Sequence, residues 1–330
     1  MSLNKVIDLC GIGNSLLDIQ YLVDDDLIKQ LNINKGEMRL VDSSEQKKVI
    51  EKINFPEENR ASGGSAANTI IAFSQFGGKA AYNSKLGDDD YGKFYAKEFE
   101  ELGIVLNYSK SKTEPTGTCL ILISPDSERT MLTNLGASAS FGIEDISEEL
   151  IKSSKWLYLE GYKFSKKSST DALFKAIEIA MANNTKISLT FSDAFITSNF
   201  RDSISECIKH CDLIFCNEAE ALNFSQTDKI EESIKFLNDK IKNFAITKGS
   251  KGAVVKWKDK FYQIPSYPAN PVDSTGAGDI FAAGFFYGII KYNDPELAGK
   301  FGSLAGAKIV SQIGPRLKQE HSKIIDFFFG

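Results

Sequence analysis

Apolar runs of strand length alternate along this chain with longer amphipathic segments. Residues 6–12, 156–159, 187–191, 213–216 and 244–247 are short and nearly continuous in apolar character. Such runs predict strands buried on both faces of a sheet. Between them, residues 170–182 and 230–240 repeat apolar positions at the spacing of a helix. This alternation predicts parallel βαβ units with helices on both faces of one sheet. Ligands of such sheets sit beyond the carboxyl ends of the strands. Residues able to carry chemistry do follow strand ends here: Asn14 and Asp18, Gly161, Asp193, Asn217 and Glu220, Lys248 and Gly249.

Two stretches break the pattern, 15–40 and 107–136. Within the second, 118–123 and 129–132 read as strands joined by a turn at Pro125-Asp126. Residues 253–257 pair back on 244–247 through a glycine-containing turn. The closing Phe327-Phe328-Phe329 either packs on the body or forms an exposed end.

With 330 residues, 42% of them hydrophobic and 25% charged, there is ample material for a core. A net charge of −5 argues against a nucleic-acid partner, which wants a basic face. No apolar span is long enough to cross a membrane. The start, Met1-Ser2-Leu3-Asn4-Lys5, lacks a signal-peptide core, and five cysteines without one suggest reduced thiols in the cytoplasm. Cys207, Cys211 and Cys216 cluster around His210, but the paired C-x-x-C spacing of zinc sites is missing. The preferred reading puts Cys207 and Cys211 on one helix face and Cys216 in the strand that follows. With only His210 and His321, a zinc-protease H-E-x-x-H is absent and a Ser-His-Asp triad is severely restricted.

Glycine motifs narrow the chemistry further. Gly11-Ile12-Gly13-Asn14-Ser15-Leu16 has a leucine where the dinucleotide fingerprint needs its third glycine, and no G-K-[ST] loop exists. In Asp273-Ser274-Thr275-Gly276-Ala277-Gly278-Asp279, small residues precede the apolar run from Ile280. A helix starting there leaves backbone N–H groups free to bind an anion, above all phosphate. A carboxylate at that point repels phosphate, unless it serves to take a proton from a hydroxyl attacking the phosphorus. The other reading is a helix cap, and the pattern alone leaves both open. Gly63-Gly64-Ser65-Ala66-Ala67-Asn68 is a second permissive helix start. Asn217-Glu218-Ala219-Glu220 is undistinguished by itself.

The 273–279 segment resembles the D-T-G-A-G-D box of the ribokinase-like (PfkB) carbohydrate kinases, with Ser274 as its departure. Gly63 to Asn68 resembles the first signature of that family. Leu86-Gly87-Asp88-Asp89 and Tyr91-Gly92 fit it as well. Two segments look like the adenosine-kinase branch: Gly13-Asn14-Ser15-Leu16-Leu17-Asp18-Ile19, with Ser15 for proline, and Phe191-Ser192-Asp193-Ala194-Phe195-Ile196.

The resemblance implies a ribokinase-like α/β fold: a large, mostly parallel sheet sandwiched by helices, with a small β-sheet lid. The large domain would comprise 1–14, 41–106 and 137–330, and the lid 15–40 and 107–136. It implies ATP and Mg2+ and transfer of phosphate to the primary hydroxyl of a nucleoside or sugar. Asp279 would be the base, and the amides of Gly276, Ala277 and Gly278 the anion hole. Arg129 would clamp the moving phosphate, and its distance in sequence suggests that it arrives only on lid closure. Asn14, Asp18, Gly63, Gly64, Ser65, Asn68 and Tyr162 would bind the acceptor. Asn217, Thr247, Gly249, Gly252, Ser303 and Gly306 would bind the nucleotide, and Glu220 would reach Mg2+ through water.

Within the family, adenosine is the favoured acceptor, with ribose or fructose as alternatives. Lys163 stands where an aromatic residue would stack on the base, leaving Tyr162 or Phe164 to replace it. A non-catalytic binding protein on the same fold is the alternative of another class, and the intact Asp279, Asn217 and Glu220 argue against it. The expected partner is a small-molecule acceptor, and the protein a monomer or homodimer.

Overall fold

The apolar runs become the middle of a nine-stranded sheet in a computed structural model that describes residues 5–126, 128–317 and 321–329. From one edge the strands run Lys260–Ile264, Ala253–Trp257, Phe244–Thr247, Leu213–Asn217, Lys186–Thr190, Ser154–Glu160, Ile7–Ile12, Ala80–Gly87 and Val105–Ser111. All neighbours from Phe244–Thr247 onward pair in parallel, and the first two strands return as antiparallel hairpins. Both faces are covered, which is why the central strands are mostly apolar and buried. Ile70, Phe73, Phe285, Phe286 and Phe301 pack one face, and Leu173, Ile177, Ile204, Phe224 and Leu237 the other.

Helix Ala277–Tyr292 is apolar on almost every side because it lies between the sheet and helix Pro295–Val310. Their contact is backbone-close. A Cβ on Gly284 would fall 2.8 Å from Gly302 Cα, and one on Gly288 would fall 2.5 Å from Ala298 Cα. This packing fixes the helix axis and so the position of its N-terminus.

A second sheet has five strands, ordered Met38–Leu40, Arg129–Asn134, Gly117–Ile123, Leu16–Leu22 and Glu57–Gly63. Its membership differs from the sequence expectation in two places. Glu57–Gly63, assigned to the large domain, pairs antiparallel with Leu16–Leu22, and its exposed Glu57, Glu58 and Asn59 hide it from any hydrophobicity signal. Val105–Ser111, whose last part fell in the small unit, joins the large sheet beside Ala80–Gly87. The final aromatic run packs back: Phe329 stacks on Tyr292 at 4.4 Å and Phe328 meets Phe301, while Phe327 stays exposed.

All five cysteines are free and buried, with the Cys207 and Cys211 sulfurs 3.9 Å apart one turn from each other. Among the described residues no group of three or more His, Cys, Asp or Glu could hold a metal, and no helix is long and apolar enough to cross a membrane.

Candidate functional site

Two helix N-termini meet at Asp279. Helix Ala277–Tyr292 is entered through Gly276 at φ 74°, a left-handed turn that glycine makes without a side-chain clash, and no side chain caps it. The capping reading of Asp279 is therefore not what the structure realises. Its Oδ1 accepts from Ser65 Oγ at 2.7 Å and its Oδ2 from Asn68 Nδ2 at 3.0 Å, both donors lying on helix Ser65–Gln75. Burial pushes the Asp279 carboxyl up to about 6, against the lowering effect of these two bonds and of the Arg316 guanidinium.

Of the three amides expected to cradle an anion, that of Ala277 is taken by the Ser274 carbonyl at 3.2 Å. The N–H groups of Gly276 and Gly278 have no hydrogen-bond partner among the described residues. The space beside Gly278 is open, since a Cβ there would meet nothing within 4 Å.

The residues expected on the acceptor side are built around close glycine contacts. Asp18 lies on strand Leu16–Leu22 with its carboxyl against Gly63, where a Cβ would come within 2.5 Å of Oδ1. Burial raises Asp18 to about 6, opposed by Arg316 and Arg129 and reinforced by Asp279 and Glu98. Gly64, at φ 108°, touches the Asn14 carbonyl so closely that a Cβ would sit 2.0 Å from it.

Glu160, which no motif marks, ties two of these segments together. Its carboxylate accepts from Asn14 N at 3.2 Å and from Ala66 N at 2.9 Å. Nearby, Lys163 is 1% exposed, donates to the Ser138 carbonyl at 2.7 Å and lies over the Phe141 ring. Burial pushes the Glu160 carboxyl up and the Lys163 ammonium down. Ser138 Oγ donates to Asn14 Oδ1 at 3.1 Å, which leaves the Asn14 NH2 as the end available to a ligand. Phe164 is part of the core, so Tyr162 is the ring that reaches the cleft.

Asn68 has both ends of its amide engaged, Nδ2 toward Asp279 and Oδ1 toward Arg316 Nη1 at 2.9 Å. Arg129 is buried and paired with Asp273, which also accepts from Thr275 N at 2.9 Å and Gly314 N at 3.0 Å. The Nε and Nη2 atoms of Arg129 have no partner among the described residues.

Asn217 and Glu220 form a capping box. Asn217 Oδ1 accepts from Glu220 N at 2.8 Å, and Glu220 Oε2 accepts from Asn217 N at 3.1 Å. Burial lifts Glu220 to about 7, helped by Asp193 and Asp279 and opposed by the Asn217 amide.

Two cavities adjoin at the helix start. One, of about 250 Å³, is lined by Ser65, Tyr162, Asn217, Glu220 and Asp279 among others. The larger, of about 630 Å³, brings together Thr247, Gly249, Gly252, Ser303 and Gly306, with Tyr267 and Phe281 in its wall, whereas Asn217, expected with them at the nucleotide, lines the smaller. Ala277 and Gly278 border both. Asn14, Asp18, Gly63, Gly64 and Asn68 line neither; Asn68 reaches the smaller one through Asp279, to which it donates. The sequence missed Glu160, Asp273 and Arg316. Of these only Asp273 lay inside a recognised motif.

Residues 36–322 match the pfkB family carbohydrate kinases. Adenosine kinase 2 of Arabidopsis thaliana is 26% identical over 328 residues, covering 93% of this chain and 94% of that protein. 5-dehydro-2-deoxygluconokinase of Clostridium perfringens is 29% identical over 282 residues, covering 80% of this chain and 82% of that one. The crystal structure of adenosine kinase from Sinorhizobium meliloti superposes with a TM-score of 0.90 at 31% identity, covering 97% and 99% of the two chains. The chain belongs to the pfkB family of carbohydrate kinases, ribokinase-like in fold and a phosphotransferase acting on hydroxyl groups.

Proposed function

We propose that the protein is an ATP-dependent kinase that phosphorylates the primary hydroxyl of a nucleoside, adenosine foremost, yielding AMP and ADP. The observation that carries this reading is the placement of Asp279: a carboxylate held by Ser65 and Asn68 beside unpartnered helix-start amides, in the wall of a polar cleft that adjoins a larger pocket. Asp279 takes the proton of the acceptor hydroxyl as its oxygen attacks the γ-phosphorus of ATP in line. The amides of Gly276 and Gly278, with Arg129, take up the charge on the transferring group. Thr247, Gly249, Gly252, Ser303 and Gly306 hold the nucleotide. The five-stranded sheet is a lid that carries Asp18 and Arg129 to the acceptor, and the nine-stranded sheet with its helices is the large domain.

Magnesium fits through a single carboxylate. Glu220 is buried in the wall of the polar cleft with a raised proton affinity, which a nearby cation would reverse. Since no cluster of described residues could hold a metal alone, Glu220 and Asn217 would hold Mg2+ through its waters. When bound, the ion neutralises charge on the phosphates.

Adenosine is supported by the adenosine kinases among the relatives and by Tyr162 at the cleft. A free sugar as acceptor is the second reading. It is favoured by Lys163, which puts a buried ammonium where an aromatic residue was expected, and by the kinship to a 5-dehydro-2-deoxygluconokinase. A coupled ADP-release assay over adenosine, 2′-deoxyadenosine, other nucleosides, ribose, fructose and 5-dehydro-2-deoxygluconate decides between them. Adenosine should have the highest kcat/KM. The 2′-deoxy compound should fall at least about tenfold below it, because Asp18 then loses a hydroxyl it accepts from. Turnover of a free sugar with adenosine inert would overturn the nucleoside reading.

A further inference from the structure

A guanidinium that no motif announces lies beside the base. Arg316 belongs to the loop after helix Pro295–Val310, the same loop whose Gly314 amide is held by Asp273. Its Nη1 donates to Asn68 Oδ1 at 2.9 Å and its Nη2 to the Ser62 carbonyl. Asn68 then donates through Nδ2 to Asp279 Oδ2 at 3.0 Å. An amide whose oxygen is claimed by a cation has only its NH2 to offer elsewhere, so Asn68 cannot flip without placing two donors face to face. Ser65 fixes the other oxygen of Asp279.

We propose that Arg316 is a positioning residue that acts through Asn68: it sets the direction in which Asp279 presents its carboxylate and keeps that carboxylate ionised near neutral pH. Asp18, Glu98 and Tyr95 face Arg316. Asp18, Glu220, Glu160, Tyr158 and Tyr162 share the surroundings of Asp279, with Arg129 as a second cation near Asp18. In that predominantly acidic setting Arg316 is the cation that counters the burial of Asp279. Its side chain is 19% exposed, which strengthens its field relative to that of a surface arginine. The inference rests on Asp279 being the base.

The test measures kcat and acceptor KM against pH for wild type, Arg316→Met and Arg316→Lys, with folding checked by thermal denaturation. In Arg316→Met the acid limb of kcat should move to higher pH by about half to one unit, as loss of a nearby cation demands. Turnover at neutral pH should drop about tenfold, with KM within about threefold. Arg316→Lys keeps the charge but not the fork that spans Ser62 and Asn68, so its limb should stay in place while turnover falls.

A loss equal at every pH with the limb unmoved in Arg316→Met would mark Arg316 as scaffold only and overturn the proposal. A tenfold rise in KM with turnover and limb intact would make it an acceptor ligand and overturn it as well. If Arg316→Met does not fold, a cycle of Arg316→Lys with Asn68→Ala decides: a residue acting through Asn68 adds little to its loss, and full additivity refutes that route. Asp279→Asn keeps the two readings apart. Near-native turnover there removes the base assignment and this inference together, whereas a large loss with an unmoved limb in Arg316→Met removes this inference alone.

Discussion

Arg129 of the small sheet donates through Nη1 to Oδ2 of Asp273, in the loop that leads into helix Ala277–Tyr292. Its place in the sequence suggests a residue that arrives late, but Asp273 holds it against the turn that opens helix Ala277–Tyr292. Its Nε and Nη2 remain without protein partners among the described residues, and these are the atoms a transferring phosphate would meet. Arg129→Ala should lower kcat by about 10²–10³, the usual worth of a donor to developing charge, with acceptor KM within a few-fold. Arg129→Lys should recover little, because an ammonium cannot bond Asp273 and a phosphate as a planar fork does. Steady-state kinetics on both variants check this, and equal losses in binding and turnover would count against the role.

Asp279→Asn should lower turnover by about 10²–10⁴ while leaving substrate binding within a few-fold, the usual worth of a general base. A base must be deprotonated to work, and the Asp279 carboxyl is raised to about 6. Activity should therefore be flat above that value and fall about tenfold per unit below it. Asp18 also protonates at about 6, so acceptor KM should rise over the same range. An acid limb of kcat near the ordinary carboxylate value would mean that Asp279 is not the titrating group.

Glu220→Gln should raise the Mg2+ concentration needed for half-maximal activity by about tenfold, since a neutral amide binds the ion's waters more weakly. The capping box complicates this, because Glu220 also accepts from Asn217 N and Nδ2. A melting curve without Mg2+ isolates the helix contribution, expected at about 1 kcal/mol. An unchanged magnesium titration would leave Glu220 as a cap and nothing more.

Gly63→Ala should act on the acceptor alone. The added methyl would lie 2.5 Å from Asp18 Oδ1 and push the carboxylate from its place. Acceptor KM should rise about tenfold or more, the equivalent of one lost buried hydrogen bond, while the KM for ATP stays near wild type. An equal rise in both would point to a general disturbance of the helix start.

The parallel core was legible in the chain because a strand buried on both faces is largely apolar, as 213–216 is throughout. The turn at Gly276 was legible for a similar reason: small residues before an apolar helix are a property of a few neighbouring positions. Asp279 could be singled out there, though pattern alone left it between base and cap. What the pattern could not give was its anchoring: Ser65 and Asn68, more than two hundred residues earlier, donate to both of its oxygens. The same holds for Glu160 bridging Asn14 and Ala66, for Asp273 holding Arg129, and for Arg316 holding Asn68. Glu57–Gly63 carried no strand signal because its exposed half is polar, and only its pairing with Leu16–Leu22 makes it a strand. Backbone conformation and burial pattern are local and are written over a few residues. Partners of buried polar groups are chosen by how distant elements pack, and that choice exists only in the folded chain.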